Sequence, residues 1–97
     1  MPYTYMVRCR DNSLYTGWAA DVEKRVKTHN SGKGAKYTRG RLPVELVWCC
    51  YVDDKIMAQK LEWAVKKLSK KRKELLVINP GLIKAFCADI WEAEHAE

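Results

Sequence analysis

Residues 3–18 read YTYMVRCRDNSLYTGW, two short runs of β-forming residues around a polar turn. The arms at 3–9 and 14–18 are rich in tyrosine, threonine and valine, and the four residues between them favour a turn. This pattern predicts a β-hairpin. Because side chains alternate across a strand, Tyr3 and Tyr5 share one face of the predicted sheet.

A helix and a basic loop are predicted after the hairpin. Asp21 is a good N-cap for a helix that runs to about Asn30. On this helix Arg25 and His29 stand at positions i and i+4, so their side chains project from the same side. The next segment, residues 31–42, is polar, basic and glycine-containing, and we expect it to be a functional loop.

The middle of the chain predicts a strand followed by an amphipathic helix. Residues 44–52 form an apolar run that predicts the central strand of a sheet, paired with the hairpin. Asp53 and Asp54 can cap the following helix, and Glu62 lies one residue round from its core face. That face is formed by Met57, Leu61, Ala64, Val65 and Leu68.

Two further helices are predicted towards the C-terminus. Ser69 can cap a short basic helix, Lys70 to Ile78, and the Asn-Pro-Gly turn at residues 79–81 ends it. A final helix is predicted from about Leu82 to Glu94. The predicted order is ββαβαα with an additional terminal helix, which is an α+β fold in one domain of 97 residues.

The charge of the chain favours a polyanionic partner. Eighteen Lys and Arg against twelve Asp and Glu give a formal net charge of +6. The excess is concentrated at residues 24–41, which hold basic side chains and no carboxylate. Nucleic acid is therefore the expected partner class.

Composition also indicates the cellular compartment. No apolar run approaches the ~20 residues that cross a bilayer, and the N-terminus lacks a secretory signal pattern, so we expect a soluble, cytoplasmic protein with no membrane partner. The four cysteines form no C-x-x-C pair, which argues against a zinc site. We expect reduced, mostly buried thiols at Cys9, Cys49, Cys50 and Cys87.

The spacing of these residues resembles the GIY-YIG nuclease superfamily. Tyr3-Thr4-Tyr5 stands in the place of its first motif and Tyr15-Thr16-Gly17 in the place of its second. Ten positions lead from Tyr5 to Tyr15, ten from Tyr15 to Arg25, and four more to His29. The order and spacing together make the resemblance specific, although each tripeptide alone is weak.

The resemblance extends to the small single-domain bacterial members, the UPF0213-like group. The segment SGKGAKYTRG at residues 31–40 is characteristic of them, and Glu62 stands where the family places its metal-binding glutamate. It runs from about Tyr3 to Gly81, leaving residues 82–97 as a terminal helix and tail. It implies a small three-stranded antiparallel sheet flanked by helices.

The resemblance also implies an activity. It implies a divalent-metal-dependent endonuclease that hydrolyses phosphodiester bonds in nucleic acid, DNA more than RNA. Glu62 would hold one Mg²⁺ or Mn²⁺, and Arg25 would stabilise the extra charge of a phosphorane-like transition state. His29 would orient a phenol or water or transfer a proton, and Tyr5 or Tyr15 would activate the attacking water.

Each role has a structural alternative. Glu62 could be an exposed helical glutamate paired with Lys66, and Arg25 could lie on a solvated basic helix face. His29 could be an ordinary surface histidine. The two tyrosines could be core aromatics with tethered hydroxyls.

Activation of a phenol is the least settled step. An unperturbed tyrosine has a pKa of ~10, so base action needs a neighbour that favours the phenolate. Some relatives carry a lysine directly after the second motif, but this chain has Trp18. Activation would come from the metal, Arg25 or a loop cation, or the base is another group. The loop residues predicted to contact the nucleic-acid backbone are Lys33, Lys36, Tyr37, Arg39 and Arg41.

Three functions compete, and the third, a basic adaptor that binds a protein partner through the C-terminal helix, ranks last because it leaves the alignment of the motif residues unexplained. The first is the metal-dependent endonuclease, and the second is a nucleic-acid-binding module on the same scaffold with little or no turnover. We expect a monomer or weak homodimer, because one active site per chain would nick one strand unless two copies meet on a duplex.

Overall fold

Three antiparallel strands form one sheet, and helices pack on its faces in this computed structural model, which describes residues 2–90. This confirms the predicted α+β class. The elements are β1 (Tyr3–Arg8), β2 (Leu14–Ala19), α1 (Val22–Asn30), α2 (Lys36–Arg39), β3 (Glu45–Tyr51), α3 (Lys55–Lys66), α4 (Lys70–Ile78), a 3-10 turn (Pro80–Leu82) and α5 (Ile83–Phe86).

The sheet order is β2-β1-β3, so the first strand of the hairpin is the central one. Tyr5 lies opposite Gly17 on one side and Cys49 on the other. The prediction that the apolar run at residues 44–52 is the central strand is wrong. Leu46 and Tyr51 of β3 remain exposed, because an apolar run marks a strand without marking its place in the sheet.

Alternation along β1 divides the interior into two clusters. Met6 points into the larger cluster, which contains Trp48 of β3, Leu61 of α3 and further residues of α3, α4 and α5. Tyr5 and Val7 point the other way and pack with residues near α1. The tyrosine face predicted from the sequence is therefore the α1 face of the sheet.

Helix α1 is bounded as the sequence predicts. The Asp21 side chain accepts a hydrogen bond from the Lys24 backbone N–H at 3.0 Å, which fixes the first turn. The helix ends before Ser31, and Gly32 has a φ of +82°, a left-handed conformation that suits glycine. The Asp21 cap thereby sets the rotation of α1 and the direction of Arg25 and His29.

The segment after α1 is more ordered than a simple loop. It contains the short helix α2, which the sequence analysis did not predict. The Asn30 side chain donates to the Val44 carbonyl at 3.0 Å and accepts from the Val44 N–H at 2.7 Å. These paired bonds close the segment and hold α2 beside the end of α1.

Helices α3 and α4 follow the predicted caps. Asp54 accepts from the Met57 N–H at 2.8 Å, and Ser69 accepts from the Arg72 N–H at 3.2 Å. Both nitrogens at the end of the Arg8 guanidinium donate to the Glu74 carboxylate, at 2.8 and 2.6 Å. This fork joins β1 to α4 and lowers the pKa of Glu74, chiefly through the hydrogen bond from Arg8.

The single terminal helix predicted from Leu82 to Glu94 is wrong in its first half. A 3-10 turn precedes α5, and Cys87 interrupts the helix with φ −126° and ψ 41°. Ile83 and Cys87 are both buried, so core packing holds the first residue of α5 and the residue that ends it. Residues 91–94 of the prediction lie outside the described residues.

Two compositional expectations have different outcomes. Cys9 and Cys87 are buried, but Cys49 is exposed and Cys50 is half-buried, so the thiols are not mostly buried. The reason is that β3 is an edge strand whose outer face is only partly covered. Within residues 2–90, no helix has the length and apolar character that crossing a bilayer requires.

Candidate active site

The predicted site residues meet at the β2 edge of the sheet. β1 provides Tyr5, β2 provides Tyr15, and α1 provides Arg25 and His29. Helix α3 places Glu62 close enough for its charge to act on the Tyr5 phenol. The sequence spacing therefore corresponds to a real convergence in space.

A buried hydrogen-bond chain runs from Tyr5 through His29. The Tyr5 hydroxyl lies 2.7 Å from His29 Nε2, and His29 Nδ1 lies 2.9 Å from Thr38 Oγ1. The Thr38 hydroxyl donates its proton to the Ala35 carbonyl at 2.9 Å, so its oxygen accepts from Nδ1–H. This assigns the Nδ1–H tautomer to His29, with Nε2 accepting from the Tyr5 O–H.

His29 is buried, not an ordinary surface histidine. Its side chain is 1% exposed, like that of Tyr5. Burial and the positive charge of Arg25 lower the pKa of His29 below its usual value. The imidazole is therefore neutral at pH 7 and has an unprotonated nitrogen aimed at a phenol.

Two glycines make room for this chain. A Cβ at Gly17 would lie 2.6 Å from the Tyr5 hydroxyl oxygen and 2.8 Å from Cζ. A Cβ at Gly34 would overlap the His29 ring and lie 2.8 Å from the His29 Cα. Both contacts are too short for a carbon atom, so glycine at these positions sets the Tyr5–His29 geometry.

Tyr5 is a protonated phenol in this environment. Burial raises its pKa to about 12, and the neighbouring Tyr15 and the Glu62 charge act in the same direction. The Arg25 guanidinium opposes them. Tyr5 matches the structural alternative of a core aromatic residue with a hydrogen-bonded hydroxyl, but the partner of that hydroxyl, His29 Nε2, is a proton acceptor.

Tyr15 is half-buried and joins several groups of the site. Its ring packs edge-on against His29 with centroids 5.5 Å apart, and stacks on Tyr37 with centroids 5.9 Å apart. The Lys66 ammonium lies 5.6 Å from the centroid of the Tyr15 ring. Tyr15 therefore connects α1, α2 and α3.

Arg25 and His29 line one pocket, as their i, i+4 spacing predicts. The pocket has a volume of about 560 Å³, and Tyr15 and Gly34 form part of its wall. Lys24 and Lys33 bring two more positive charges to the same pocket. Asp21 also lines the pocket, but its carboxylate accepts from the Lys24 backbone N–H as the cap of α1. Three cations against one carboxylate leave a net positive concave surface, which suits a phosphate group.

Glu62 forms an ion pair with Lys66, at 3.0 Å, across one turn of α3. The pairing is the structural alternative considered for Glu62, yet its side chain is only 19% exposed. In the described part of the chain, no three His, Cys, Asp or Glu side chains group into a metal site. A lone carboxylate still suits Mg²⁺, which is commonly bound through one or two carboxylates plus waters and substrate phosphate.

The predicted backbone-contacting residues of the loop differ in their surroundings. Lys33 faces the pocket of Arg25, and Tyr37 stacks on Tyr15. Arg39 donates to the Gly34 carbonyl at 3.2 Å, while Lys36 is exposed. Arg41 lies over the Tyr37 ring at 4.0 Å and donates to Asp11 at 2.9 Å, so its guanidinium already has partners.

Trp18 lies on the opposite face of the sheet from Tyr5. It packs against the cluster around Met6, with the Lys55 ammonium 5.6 Å from the centroid of its ring. A lysine at position 18 would start from the opposite face of the sheet, so its replacement by Trp18 does not remove a positive charge from the α1 face. Arg25 provides the positive charge that opposes the raised pKa of Tyr5.

Sequence reasoning missed three residues that build the site. Thr38 fixes the His29 tautomer, and Gly17 and Gly34 provide its space. Gly17 and Gly34 belong to the quoted motifs, but no spacing rule assigns a steric role to a glycine before its neighbour is known. Thr38 acts through the loop fold, which the sequence pattern did not predict.

The profile of the GIY-YIG catalytic domain matches residues 1–75, and the chain belongs to that family. Within the family, it is similar to proteins named UPF0213. It is 51% identical over 82 residues to the UPF0213 protein CPE1444 of Clostridium perfringens, which covers 84% of this chain and 88% of that relative. The resemblance inferred from the two tyrosine motifs is thereby confirmed.

Two solution NMR structures share the fold. The UPF0213 protein BH0048 from Bacillus halodurans is 50% identical with a TM-score of 0.51, over 79% of this chain and 83% of that one. The protein EF2693 from E. faecalis is 39% identical with a TM-score of 0.54, over 82% of this chain and 85% of that one. The family suggests nuclease chemistry on nucleic acid, and the names of these relatives state no substrate.

Proposed function

We propose that this protein is a divalent-metal-dependent endonuclease that hydrolyses phosphodiester bonds, with DNA as its substrate. The observation that carries the proposal is the hydrogen bond from the Tyr5 hydroxyl to the neutral His29 imidazole. It lies beside a pocket that Arg25 lines. Phosphodiester hydrolysis needs a proton acceptor and fixed positive charge, and both occur here.

Tyr5 acts as the general base with His29 as its proton acceptor. A phenol with a pKa of about 12 is too weakly acidic to lose its proton to bulk water at pH 7. The Tyr5 phenol proton moves to His29 Nε2 as the Tyr5 oxygen takes a proton from the attacking water. Burial and Arg25 disfavour the imidazolium, so His29 gives its proton up to solvent or to the departing oxygen in the pocket that it lines, and the pair is reset.

Arg25 stabilises the phosphate during attack. A guanidinium is always charged and presents several N–H donors in one plane, which matches the oxygens of a phosphate group. As the water oxygen bonds to phosphorus and the ester bond breaks, negative charge grows on those oxygens. Arg25 on the pocket wall is placed to bind them, with Lys24 and Lys33 adding longer-range attraction.

Glu62 is the residue that would hold Mg²⁺ or Mn²⁺. Its carboxylate already attracts a cation, the Lys66 ammonium at 3.0 Å. A bound divalent ion would supply additional charge stabilisation to the phosphate and its leaving oxygen. Glu62 is then a shared acceptor, and Lys66 must release it before it can ligate.

The rival function is a nucleic-acid-binding module without turnover. One observation favours it: the Glu62 carboxylate is paired with Lys66, and the described residues include no metal-binding cluster. On this alternative Arg25 and the loop cations bind phosphate, and nothing activates water. The two functions make opposite predictions about chelation.

Cleavage of labelled single-stranded, duplex and branched DNA in Mg²⁺ or Mn²⁺ tests the proposal, with RNA as a parallel substrate. We expect nicking that EDTA abolishes and that Glu62→Gln removes. Glu23→Gln is the matched control, since Glu23 is an exposed carboxylate on α1 outside this pocket. If wild-type protein binds DNA but cuts none of these substrates, the binding-module function replaces the nuclease.

A further inference from the structure

A second basic pocket lies on the other side of Tyr15. It has a volume of about 360 Å³ and lies where β2, α2, α3 and α4 approach one another. Its lining residues are Leu14, Tyr15, Thr16, Tyr37, Lys66 and Lys73. Within this set the charged residues are Lys66, which is paired with Glu62, and Lys73, so Lys73 provides the uncompensated positive charge of the pocket.

Lys73 is the unusual residue of this pocket. It is half-buried, and no carboxylate of the described residues lies within ion-pair distance of it. The neighbouring lysines do have carboxylate partners: Lys70, one helical turn before Lys73, pairs with Glu74, and Lys66 pairs with Glu62. Burial and then the charges of Lys70 and Lys66 lower the pKa of Lys73, in line with an ammonium that has no carboxylate beside it.

One residue of the pocket wall carries an unused hydrogen-bonding group, buried just beneath the surface. Thr16 is 2% exposed, and its hydroxyl oxygen is a buried side-chain oxygen without a hydrogen-bond partner in the described part of the chain. Buried polar groups are normally paired, so such an exception calls for an explanation. Two lysines and an unpaired hydroxyl around one cavity are the complement of an oxyanion.

We propose that this pocket, defined by Thr16, Lys66 and Lys73, binds a phosphate of the nucleic-acid strand next to the one held beside Arg25. Tyr15 forms a wall of both pockets, so an extended polyanion can pass over its edge from one to the other. Tyr37 stacks on Tyr15 at this crossing, and the Arg41 guanidinium over the Tyr37 ring adds a positive charge there. The inference rests on the proposed function for its ligand, nucleic acid, but not on cleavage.

Binding of a labelled single-stranded DNA oligonucleotide in EDTA, followed by fluorescence anisotropy over a range of salt concentrations, tests the subsite. We expect Lys73→Met to weaken binding by about fivefold to tenfold at low salt and to reduce the slope of log affinity against log salt by about one. The matched control is Lys71→Met, which removes the same charge from an exposed position on α4 outside the pocket. Equal affinities for the two variants would overturn the subsite.

A measurement on the wild-type protein makes the test independent of how the variant folds. Titration with inorganic phosphate should shift and saturate the backbone amide NMR signals of Thr16 and Lys73. Absence of saturable shifts at both residues would refute the proposal. The binding assays contain EDTA and do not depend on cleavage. Weaker binding by Lys73→Met therefore supports the subsite even if the protein cuts no substrate. If the protein cuts DNA and Lys73→Met binds as well as wild type, the subsite is overturned and the proposed nuclease function is not.

Discussion

The Tyr5 hydroxyl donates to His29 Nε2 across 2.7 Å, inside the fold, although the two residues are 24 positions apart. Thr38 holds the other ring nitrogen, and Gly17 and Gly34 lie so close to Tyr5 and His29 that neither position has room for a Cβ. A phenol is a poor base alone, and an imidazole of lowered pKa stays neutral at pH 7, so that its unprotonated nitrogen is free to accept the phenol proton. Their contact supplies the proton acceptor that a tyrosine base would need in a chain without a lysine after the second motif.

Removing the Tyr5 hydroxyl should abolish most cleavage. Tyr5→Phe leaves His29 without a phenol to deprotonate, so we expect the rate of nicking to fall by about 10²- to 10⁴-fold. Binding of DNA in EDTA should change little, because Tyr5 is buried. Tyr15→Phe is the comparison, since Tyr15 lines the pocket but makes no hydrogen bond to His29 in this structure. A larger loss in Tyr15→Phe would assign the base to Tyr15.

Ultraviolet titration of the phenols should single out Tyr5. Burial raises its pKa to about 12, so its ionisation should appear about two units above that of an ordinary tyrosine. The absorbance change near that pH should be missing from Tyr5→Phe. If the titration curves of wild type and variant coincide above pH 11, the phenol is less shielded than its burial indicates.

The sequence predicted that the site residues converge, but it did not predict the hydrogen bonds that they make with one another. Motif spacing placed Tyr5, Tyr15, Arg25 and His29 together because the hairpin register and the helix period are local rules, each set by a few neighbouring residues. The Asp21 cap and the hairpin turn then fix their orientation. No local rule reaches from His29 to Thr38, because that contact depends on how the loop folds back.

The fold shows the same division between local and non-local information. The caps at Asp54 and Ser69 set the helix starts and were read correctly, because each bond joins residues three apart. The position of β3 at the sheet edge was not predicted correctly, because packing over the whole chain decides the order of the strands. Glu62 was recognised by resemblance, while its ion pair with Lys66 is a local i, i+4 contact.

The pH dependence of stability should report His29. Its pKa is lowered in the folded protein, so the folded state binds fewer protons than the unfolded state between the folded pKa and about 6.5. The contribution of neutral His29 is complete above about pH 6.5 and is lost as pH falls through the folded pKa, by at most about 1.4 kcal/mol per pH unit. Thermal melts from pH 7.5 to 5 check this.

His29→Gln should flatten that pH profile, whatever its own melting temperature. His95→Gln is the matched control, because it removes the only other histidine of the sequence. A His29→Gln profile as steep as that of wild type would show that other groups cause the acid sensitivity.

The packing of Gly17 against Tyr5 should make Gly17→Ala costly. A Cβ at 2.6 Å from the hydroxyl oxygen must displace the Tyr5 ring, which is held by His29 and the core. We expect a loss of about 1–3 kcal/mol of stability from overpacking. Cleavage should fall further than stability explains, because the Tyr5–His29 bond is disturbed.

Gly40→Ala is the matched substitution for Gly17→Ala. A Cβ there meets nothing within 4 Å, and the Gly40 φ of −90° is open to alanine. We expect this variant to be as stable as wild type or more stable by up to about 1 kcal/mol. Equal destabilisation of the two variants in urea unfolding would contradict the steric role of Gly17.

Thr4 and Thr16 form a natural pair for measuring what a buried hydroxyl contributes. The Thr4 hydroxyl donates to the Ala58 carbonyl at 2.8 Å, whereas the Thr16 hydroxyl has no partner among the described residues. Valine has nearly the same shape, so each substitution removes one hydroxyl and little else. Thr4→Val should therefore cost about 1 kcal/mol, which corresponds to about 4–8 °C in Tm for a domain of this size.

Thr16→Val should instead be neutral or stabilising by up to about 1 kcal/mol, because an unpaired buried hydroxyl is unfavourable without its ligand. The same variant should lose part of any stabilisation that inorganic phosphate gives the wild type, since Thr16 lines the second basic pocket. Thermal melts with and without phosphate separate the two effects. If Thr16→Val is destabilised as much as Thr4→Val in both buffers, an internal partner already satisfies the hydroxyl, and its availability to a phosphate is disproved.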